Sequence, residues 1–202
     1  MHIAEGVLSG PVLGTGAVLA AAGTVRGLRG LRPERLPVVA VMGSAFFVAS
    51  LIHVPVGPSS AHLVLNGLCG LLLGWAAFPA LLVSLFLQAV LFGFGGLSTL
   101  GVNTFDMAGP AVLAAAIFRK GCSARAGRRL QFAAGFGAGS AAVLGGCLAT
   151  AAALFFSGKE FLPAAALLAA AHVPVALVEG LVTGWAVVFL GRVRPDVLEA
   201  WE

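Results

Sequence analysis

The sequence predicts an all-α, polytopic membrane protein in a single domain that covers residues 1–202. Hydrophobic residues make up 59% of the chain and charged residues only 10%, whereas soluble domains carry about 25% charged residues. So few charges cannot cover a water-facing surface, and long apolar stretches cross a bilayer as helices. The 28 glycines agree with this, because small residues let transmembrane helices approach closely. This composition excludes a soluble enzyme, a nucleic-acid-binding protein and a disordered tail.

The basic residues predict the topology, because nearly all of them fall into three groups. These groups are Arg26, Arg29, Arg32 and Arg35; Arg119, Lys120, Arg125, Arg128 and Arg129; and Arg192 with Arg194. Basic loops stay in the cytoplasm, so an even number of crossings is expected between successive groups. At about 20 residues per span, interval 36–118 holds four crossings, interval 130–191 holds two, and one precedes Arg26. We therefore expect seven transmembrane helices, with the N-terminus outside and the C-terminus in the cytoplasm.

Proline, glycine and polar residues divide the apolar chain into these spans. The predicted helices cover residues 10–25, 36–52, 63–77, 79–94, 107–118, 131–156 and 161–190. Segment 53–62 cannot continue a helix, because Pro55 and Pro58 remove hydrogen-bond donors, and it is expected to form an external loop or a re-entrant turn. Segment 95–106 is predicted as a second external segment, and the short fifth span leaves room for part of it to dip into the membrane. The last helix is expected to kink at Pro174.

A histidine at position 2 indicates a metal site. The α-amine of Met1, the amide nitrogen of His2 and its ring Nδ1 can bind one ion, provided that a strongly polarising late transition metal displaces the amide proton. These nitrogens leave one corner of a square for an imidazole, an arrangement that suits Ni(II) or Cu(II) and also low-spin Co(II), whereas Mg²⁺ and Ca²⁺ prefer oxygen. The first residues lack the basic region of a signal peptide. Met1 is therefore expected to persist at the external face, on the same side as His62.

Five motifs together resemble one transporter family. They are residues 1–8 (Met-His-Ile-x-Glu-Gly-x-Leu), 57–62 followed by Gly67, Gly70 and Gly74, 88–93, 95–103, and 172–180. Over nearly the whole chain they resemble the CbiM/NikM family, the substrate-binding S components of energy-coupling factor (ECF) transporters that import Co²⁺ or Ni²⁺. The resemblance implies a metal ion held by the Met1 amine, the His2 amide nitrogen, His2 Nδ1 and a His62 ring nitrogen. That ion is then the transported substrate.

Several polar residues are expected to support these ligands. Asn66 follows His62 by one helical turn on the same face and can orient its imidazole. Ser59, Ser60 and Asn103 lie in the predicted external segments and can hydrogen-bond the amide system. For each of these the alternative is a residue that only binds nearby backbone.

His172 and Glu179 lie near the middle of the last predicted span and share a helix face, because they are seven residues apart. Ionisable groups inside a membrane are costly and usually functional. Two roles stay open for this pair, namely hydrogen bonds that pack the helices, or gating and coupling of transport.

The chain lacks the motifs that would let it use ATP or act as a protease. It has no G-x-x-x-x-G-K-[ST] phosphate loop and no H-E-x-x-H, so we expect no ATP site and no enzymatic activity. The resemblance implies that two ATPase subunits and a transmembrane coupling subunit drive uptake across the inner (plasma) membrane, often with a small accessory membrane subunit.

Two other functions agree with the composition. A self-contained carrier or channel for a divalent metal would use His172 and Glu179 as a proton-coupled path and would need no ATPase. A non-transporting membrane assembly factor would use its glycine-rich helices only as docking faces. The sequence does not choose between nickel and cobalt, because the same nitrogen ligands bind either metal.

Overall fold

The computed structural model describes residues 2–51, 53–56 and 59–199. Its elements, in chain order, are α1 (Gly10–Arg29), α2 (Leu36–Ala49), β1 (His53–Val56), β2 (Ser59–His62), α3 (Asn66–Leu73), α4 (Ala77–Phe92), α5 (Leu100–Cys122), α6 (Arg128–Ser157), α7 (Leu162–Val193) and α8 (Pro195–Glu199). A short 3₁₀ turn, Gly74–Ala76, joins α3 to α4. The predicted helical architecture is confirmed, and each predicted span has a helical counterpart.

The segment that was expected to form a loop or a re-entrant turn contains a two-stranded antiparallel hairpin. His53 is paired with His62 in its register, and Val56 with Ser59. Pro55 excludes a helix here, and the flanking β-branched valines favour extended backbone. Strand β2 contacts α7, so the hairpin lies against the helical bundle.

Five segments of the described chain are long and apolar enough to cross a membrane. They are Gly10–Arg29, Asn66–Phe92, Leu100–Cys122, Arg128–Ser157 and Leu162–Val193. Helix α2, with 14 residues, is shorter than these. Large apolar side chains cover the outer surface, such as Leu148 at 71% and Phe156 at 73% exposure, and such a surface is stable only against lipid or a protein partner. These features identify a multi-pass membrane protein, whereas seven crossings and their orientation stay predictions.

The start of α5 corrects the prediction for segment 95–106. Only residues 95–99 lie outside a helix, because α5 already begins at Leu100. Asn103 and Asp106 are each only 2% exposed. The polar residues that indicated an external segment therefore belong to a helix and face the interior of the bundle, where they bond to other parts of the chain.

The main apolar core lies between α2 and the helices that follow the hairpin. Its fully buried members include Phe46, Leu81, Met107 and Leu168. A second, smaller cluster lies under the N-terminal segment and contains Ile3, Leu8, Val102 and Leu154. The N-terminal residues are thus packed into the fold and do not form a tail.

The bundle has two ends that differ in chemistry. At the first, the N-terminal end, His2 lies beside the last turns of α4 and the first turn of α5. At the second, the basic end, the Arg35 guanidinium donates a hydrogen bond to the carbonyl of Leu72 at 2.8 Å. There α8 packs through Leu198 beside Cys122, the last residue of α5. The three basic groups of the sequence adjoin these residues, so they lie at the same end.

Glycines let α3, α6 and α7 approach closely. A Cβ added at Gly67 of α3 would lie 2.6 Å from the Cα atom of Gly139 in α6. A Cβ added at Gly139 would lie 2.7 Å from the backbone oxygen of Glu179 in α7. Both distances are shorter than van der Waals contact, so a larger residue would force these helices apart. Close packing on small residues is common between membrane helices, and here it brings the start of α3 to Glu179.

Candidate metal centre

The N-terminal segment is held by side chains of α5 and of the loop before it. Asn103 accepts a hydrogen bond from the Ile3 amide (2.9 Å) and donates one to the Ile3 carbonyl (3.1 Å). The Thr99 hydroxyl donates a second hydrogen bond to that carbonyl at 2.9 Å. Ile3 itself is fully buried. The backbone directly after His2 is therefore fixed on both its donor and its acceptor side.

The His2 ring is buried, and its Nε2 lies 2.8 Å from Oε1 of Gln88 in α4. The amide nitrogen of Gln88 donates to the hydroxyl of Ser50 and, at 3.4 Å, to the carbonyl of Phe47. The single proton of the Ser50 hydroxyl is in turn shared between the carbonyls of Phe46 (2.9 Å) and Phe47 (3.0 Å). Since a carbonyl can only accept, this chain fixes the direction of every hydrogen bond in it.

The chain of hydrogen bonds determines the tautomer of His2. Gln88 presents its oxygen to the ring, so His2 Nε2 carries the proton and donates it. In the neutral ring Nδ1 is then the nitrogen without a proton, and a metal ion binds a ring nitrogen in that form. Gln88 therefore acts on the histidine as the hydrogen-bonding partners of metal-binding histidines generally do.

Gly95 and Glu5 complete the surroundings of His2. Gly95 has a left-handed φ of +75°, and a Cβ there would lie 2.9 Å from Nδ2 of Asn103. Glycine at this position lets the loop pass close to the ring and to the Asn103 amide. The Glu5 carboxylate accepts a hydrogen bond from the Ser98 amide at 3.3 Å, which ties the N-terminal segment to the same loop.

The remaining candidate ligands are described only in part. Met1 lies outside the described residues. His62 ends β2, and Ser59 and Ser60 form its first half, but the side chains of this strand lie outside the description as well. The distance from His2 to the His62 ring is therefore a prediction, and so are the roles of the two serines.

Asn66, the first residue of α3, is fully buried. Its amide nitrogen donates to the carbonyls of Met107 in α5 (3.1 Å) and Ala142 in α6 (3.3 Å). It thus binds backbone far away in sequence, whereas the expected contact with His62 stays a prediction, because the His62 side chain lies outside the description. The effect of these two hydrogen bonds is to fix the start of α3, four residues after His62.

Glu179 binds the backbone between β2 and α3. Its Oε1 accepts hydrogen bonds from the amides of Val64 and Leu65, the latter at 2.7 Å. Leu65 has φ of 54°, a left-handed conformation that costs a residue with a side chain about 1 kcal/mol. The carboxylate therefore holds a strained connection in place directly after the predicted ligand His62.

His172 is fully buried and lies seven residues, about two helical turns, before Glu179. Its Nδ1 donates to the carbonyl of Leu168 at 2.8 Å, because a carbonyl can only accept. Its Nε2 has no hydrogen-bond partner among the described residues. The contact with Leu168 lies within α7, so it does not by itself join α7 to another helix.

Sequence reasoning assigned no role to Gln88, Ser50 or Thr99, all of which are buried. Gln88 stood in a motif of the family resemblance, and its isolation among apolar residues of α4 was the available signal, since a polar group in a membrane helix is usually functional. Asp106 was also missed; its carboxylate accepts a hydrogen bond from Thr150 of α6 at 2.9 Å.

Comparison with known proteins agrees with this geometry. Residues 2–197 match the family model for CbiM, the cobalt uptake substrate-specific transmembrane region. The chain belongs to the CbiM family. It is 45% identical to a putative metal transport protein of Haemophilus influenzae, over 100% of this chain and 98% of that protein. It is 36% identical to the fused nickel transport protein NikMN of Rhodobacter capsulatus, over 98% of this chain and 64% of that protein.

Other CbiM-family comparisons cover a longer fusion and two solved structures. The chain is 31% identical to the putative fused cobalt transport protein CbiMQ of Methanocorpusculum labreanum, over 98% of this chain and 36% of that protein. The crystal structure of a transition metal transporter is 26% identical, with a TM-score of 0.79 over 96% of this chain and 93% of that chain. The crystal structure of a truncated transition metal transporter is also 26% identical, with a TM-score of 0.78 over 94% of this chain and 98% of that chain. The CbiM-family chain is thus a transmembrane component of cobalt or nickel transport, and not an enzyme.

Proposed function

We propose that this CbiM-family chain is the substrate-binding S component of an ECF-type importer in the inner (plasma) membrane. In this proposal it binds Ni²⁺ or Co²⁺ through the Met1 amine, the His2 amide nitrogen, His2 Nδ1 and a ring nitrogen of His62. The observation that carries the proposal is the orientation of His2, whose Nε2 donates to Gln88. Nδ1 is left as the nitrogen that closes a six-membered chelate ring with the residue's own amide.

The burial of the N-terminal segment supports the chelate. A flexible chain end would lose conformational entropy on binding metal, but here Ile3 is already fixed by Asn103 and Thr99. The backbone that follows His2 is therefore already ordered before the ion arrives, which favours binding. Square-planar nitrogen coordination then selects late transition metals.

We also propose seven crossings, the third of which consists of the hairpin and α3. Helix α2 ends beside Gln88, through Ser50, and α3 begins within the bundle, where Asn66 bonds to α5 and α6. After the turn that contains Trp75, helix α4 runs from Ala77 back to Gln88 and beyond. Non-helical backbone inside a membrane needs hydrogen-bond partners from protein, and Glu179 supplies an acceptor for two amides of this connection.

Uptake in this proposal requires other chains, namely two ATPase subunits and a transmembrane coupling subunit, with a small accessory membrane subunit in addition. The fused relatives, which are longer than this chain, support an assembly of several parts. A self-contained carrier has less support, because Oε1 of Glu179 already binds two backbone amides and so serves a structural role.

The chelate is tested with protein that carries its authentic N-terminus. Calorimetric titration with Ni²⁺ and Co²⁺ is expected to show one site, and a visible spectrum of the nickel complex to report square-planar coordination. His2→Ala, His62→Ala and a one-residue N-terminal extension should each abolish binding. His53→Ala is the matched control, because His53 is paired with His62 in the same hairpin but is not one of the proposed ligands. Normal affinity in the extended protein would contradict the chelate.

Two further measurements separate this proposal from its alternatives. Elemental analysis of protein from cells given both metals identifies the preferred ion. Reconstitution of the chain alone in liposomes should give no accumulation of metal against a gradient; sustained accumulation without ATP would instead support the carrier. An assembly factor would contain no stoichiometric metal and would tolerate His62→Ala.

A further inference from the structure

A cavity of about 960 Å³ opens at the basic end of the bundle, between the last turn of α1, the connection to α2 and the turn Gly74–Ala76. Its lining includes four arginines at intervals of three residues, Arg26, Arg29, Arg32 and Arg35. We call this cavity the basic cleft. Nothing in the proposed capture of a metal cation requires it, and its charge would repel such an ion.

Two of the four guanidinium groups are held in place by the protein. The Arg26 guanidinium lies over the Trp75 ring, with its carbon 4.8 Å from the ring centroid, a favourable cation–π contact. Arg35 is bound to the Leu72 carbonyl at 2.8 Å. Arg29 and Arg32 are exposed between them. The cleft thus combines fixed and adaptable donors around one space.

The positive charges of the cleft are incompletely balanced. Burial, and then the charge of Arg32, lower the pKa of Arg35, while Asp196 opposes this shift. Asp196 is itself engaged by Arg194, at 2.7 Å, and Glu34 is exposed in the adjoining turn. Neither carboxylate lines the cavity, whose described lining holds no acidic residue. An anion in the cleft would therefore relieve repulsion between arginines.

The remainder of the lining is apolar and continues onto the outer surface of α1. Val25 is 46% exposed and Trp75 40% exposed, and Val39 and Leu73 complete the wall. Because α1 is one of the candidate membrane spans, we expect this wall to face the acyl chains of a bilayer. Tryptophan is enriched at such a boundary between lipid and water. The cleft therefore places four arginines beside an apolar face.

We propose that the basic cleft binds an anionic phospholipid, with its headgroup phosphate among the four arginines and its acyl chains along α1. Basic pockets between transmembrane helices on the cytoplasmic side are known to bind anionic headgroups, and arginine forms paired hydrogen bonds with phosphate oxygens. A water-soluble acidic peptide would satisfy the arginines but would leave the apolar wall uncovered. The lipid is therefore the occupant that both parts of the cleft fit.

The proposal is tested with the purified full chain in phosphatidylcholine nanodiscs that contain increasing phosphatidylglycerol. Lipid retention by native mass spectrometry and thermal stability are the two readouts. Phosphatidylglycerol should bind and raise the melting temperature of the wild type, and salt should weaken the effect. The double variant Arg29→Gln and Arg32→Gln removes two contacts and should bind about 30-fold more weakly. Arg128→Gln with Arg129→Gln removes the same charge from another basic group and is the matched control.

Several results would overturn the proposal. Equal losses in the two double variants would show that general surface charge attracts the lipid. Equal stabilisation by inorganic phosphate, without lipid, would indicate a site for a free anion. If polyglutamate displaced the lipid and phosphatidylglycerol did not stabilise the protein, the result would indicate an acidic protein partner. Metal binding is measured alongside, and the arginine variants should leave it unchanged, so the two proposals fail independently.

Discussion

Replacement of Glu179 tests whether α7 positions the hairpin that carries His62. The change is Glu179→Ala, compared with Glu179→Gln. Alanine removes the acceptor of the Val64 and Leu65 amides, whereas the glutamine carbonyl can still accept both hydrogen bonds. On the proposed function, the segment after His62 becomes loose in the first variant and stays fixed in the second.

The magnitude follows from the two hydrogen bonds. Leaving a buried amide without an acceptor costs about 1–3 kcal/mol, so the loss of both acceptors, with one amide buried, should lower the free energy of unfolding by about 2–4 kcal/mol. The left-handed Leu65 adds to this, because nothing then holds its strained φ of 54°. Loss of a group that positions a metal ligand lowers metal affinity about 10–100-fold. We expect Glu179→Gln to remain within a few-fold of the wild type.

Two assays separate positioning from other roles. Calorimetry with Ni²⁺ gives the affinity, and hydrogen exchange of residues 63–65 reports directly on the hydrogen bonds to Glu179. Exchange there should accelerate in Glu179→Ala and not in Glu179→Gln. Thr183→Val is the control on the same helix, because the buried Thr183 hydroxyl has no hydrogen-bond partner among the described residues.

Two outcomes would refute this reasoning. If Glu179→Gln lost as much metal affinity as Glu179→Ala, the negative charge itself would be required, as a proton-coupled or gating role demands. If exchange at residues 63–65 were unchanged in Glu179→Ala, the carboxylate would not hold this connection. Loss of affinity in Thr183→Val would indicate a general weakening of α7.

The remaining predictions concern the His2 tautomer and the packing of α6 on α7. Gln88→Leu removes the acceptor of His2 Nε2 and should lower metal affinity about 10–100-fold, with a changed visible spectrum. Gln88→Glu keeps an acceptor and should bind metal nearly as the wild type does. If the leucine variant bound metal as tightly as the wild type, the assigned tautomer would be contradicted. Gly139→Ala places a Cβ against the Glu179 carbonyl and should destabilise the protein by about 1–3 kcal/mol in a thermal unfolding assay. Gly14→Ala, where a Cβ meets nothing within 4 Å, should be neutral, and equal losses would contradict the packing argument.

The helices were predictable because the membrane imposes simple rules on the chain. Backbone in lipid must satisfy its own hydrogen bonds, so apolar runs bounded by proline, glycine and arginine predicted seven of the helices, six of them to within about four residues at each end, whereas the short helix α8 was not predicted. The start of α5 was not predictable in this way. Asn103 and Asp106 indicated a loop, because the same polar residue types occur in loops and on the inward faces of membrane helices. Only the packing of the surrounding helices distinguishes the two cases.

The candidate site was predictable where its chemistry is local. His2 and its own amide form a chelate by covalent geometry, whatever the rest of the fold. The partners that orient it are distant, since Gln88 lies 86 residues from His2 and Glu179 lies 114 residues from Leu65. No periodicity relates such positions, so a sequence could mark these residues as unusual in a membrane but could not say what they bind.

Asn103 and Glu179 anchor the two parts of the proposed metal site in the same way, by binding backbone next to a ligand. This bears on how a bound ion could be released. Asn103 of α5 binds the backbone next to His2, and Glu179 of α7 binds the backbone that follows His62. On the proposed ligand set, the two halves of the coordination sphere are thus attached to different long helices through bonds that do not involve the metal. A displacement of α7 relative to α5 would separate His62 from the chelate without unfolding either half. An energised partner that moves one helix could therefore lower metal affinity while both anchors stay intact.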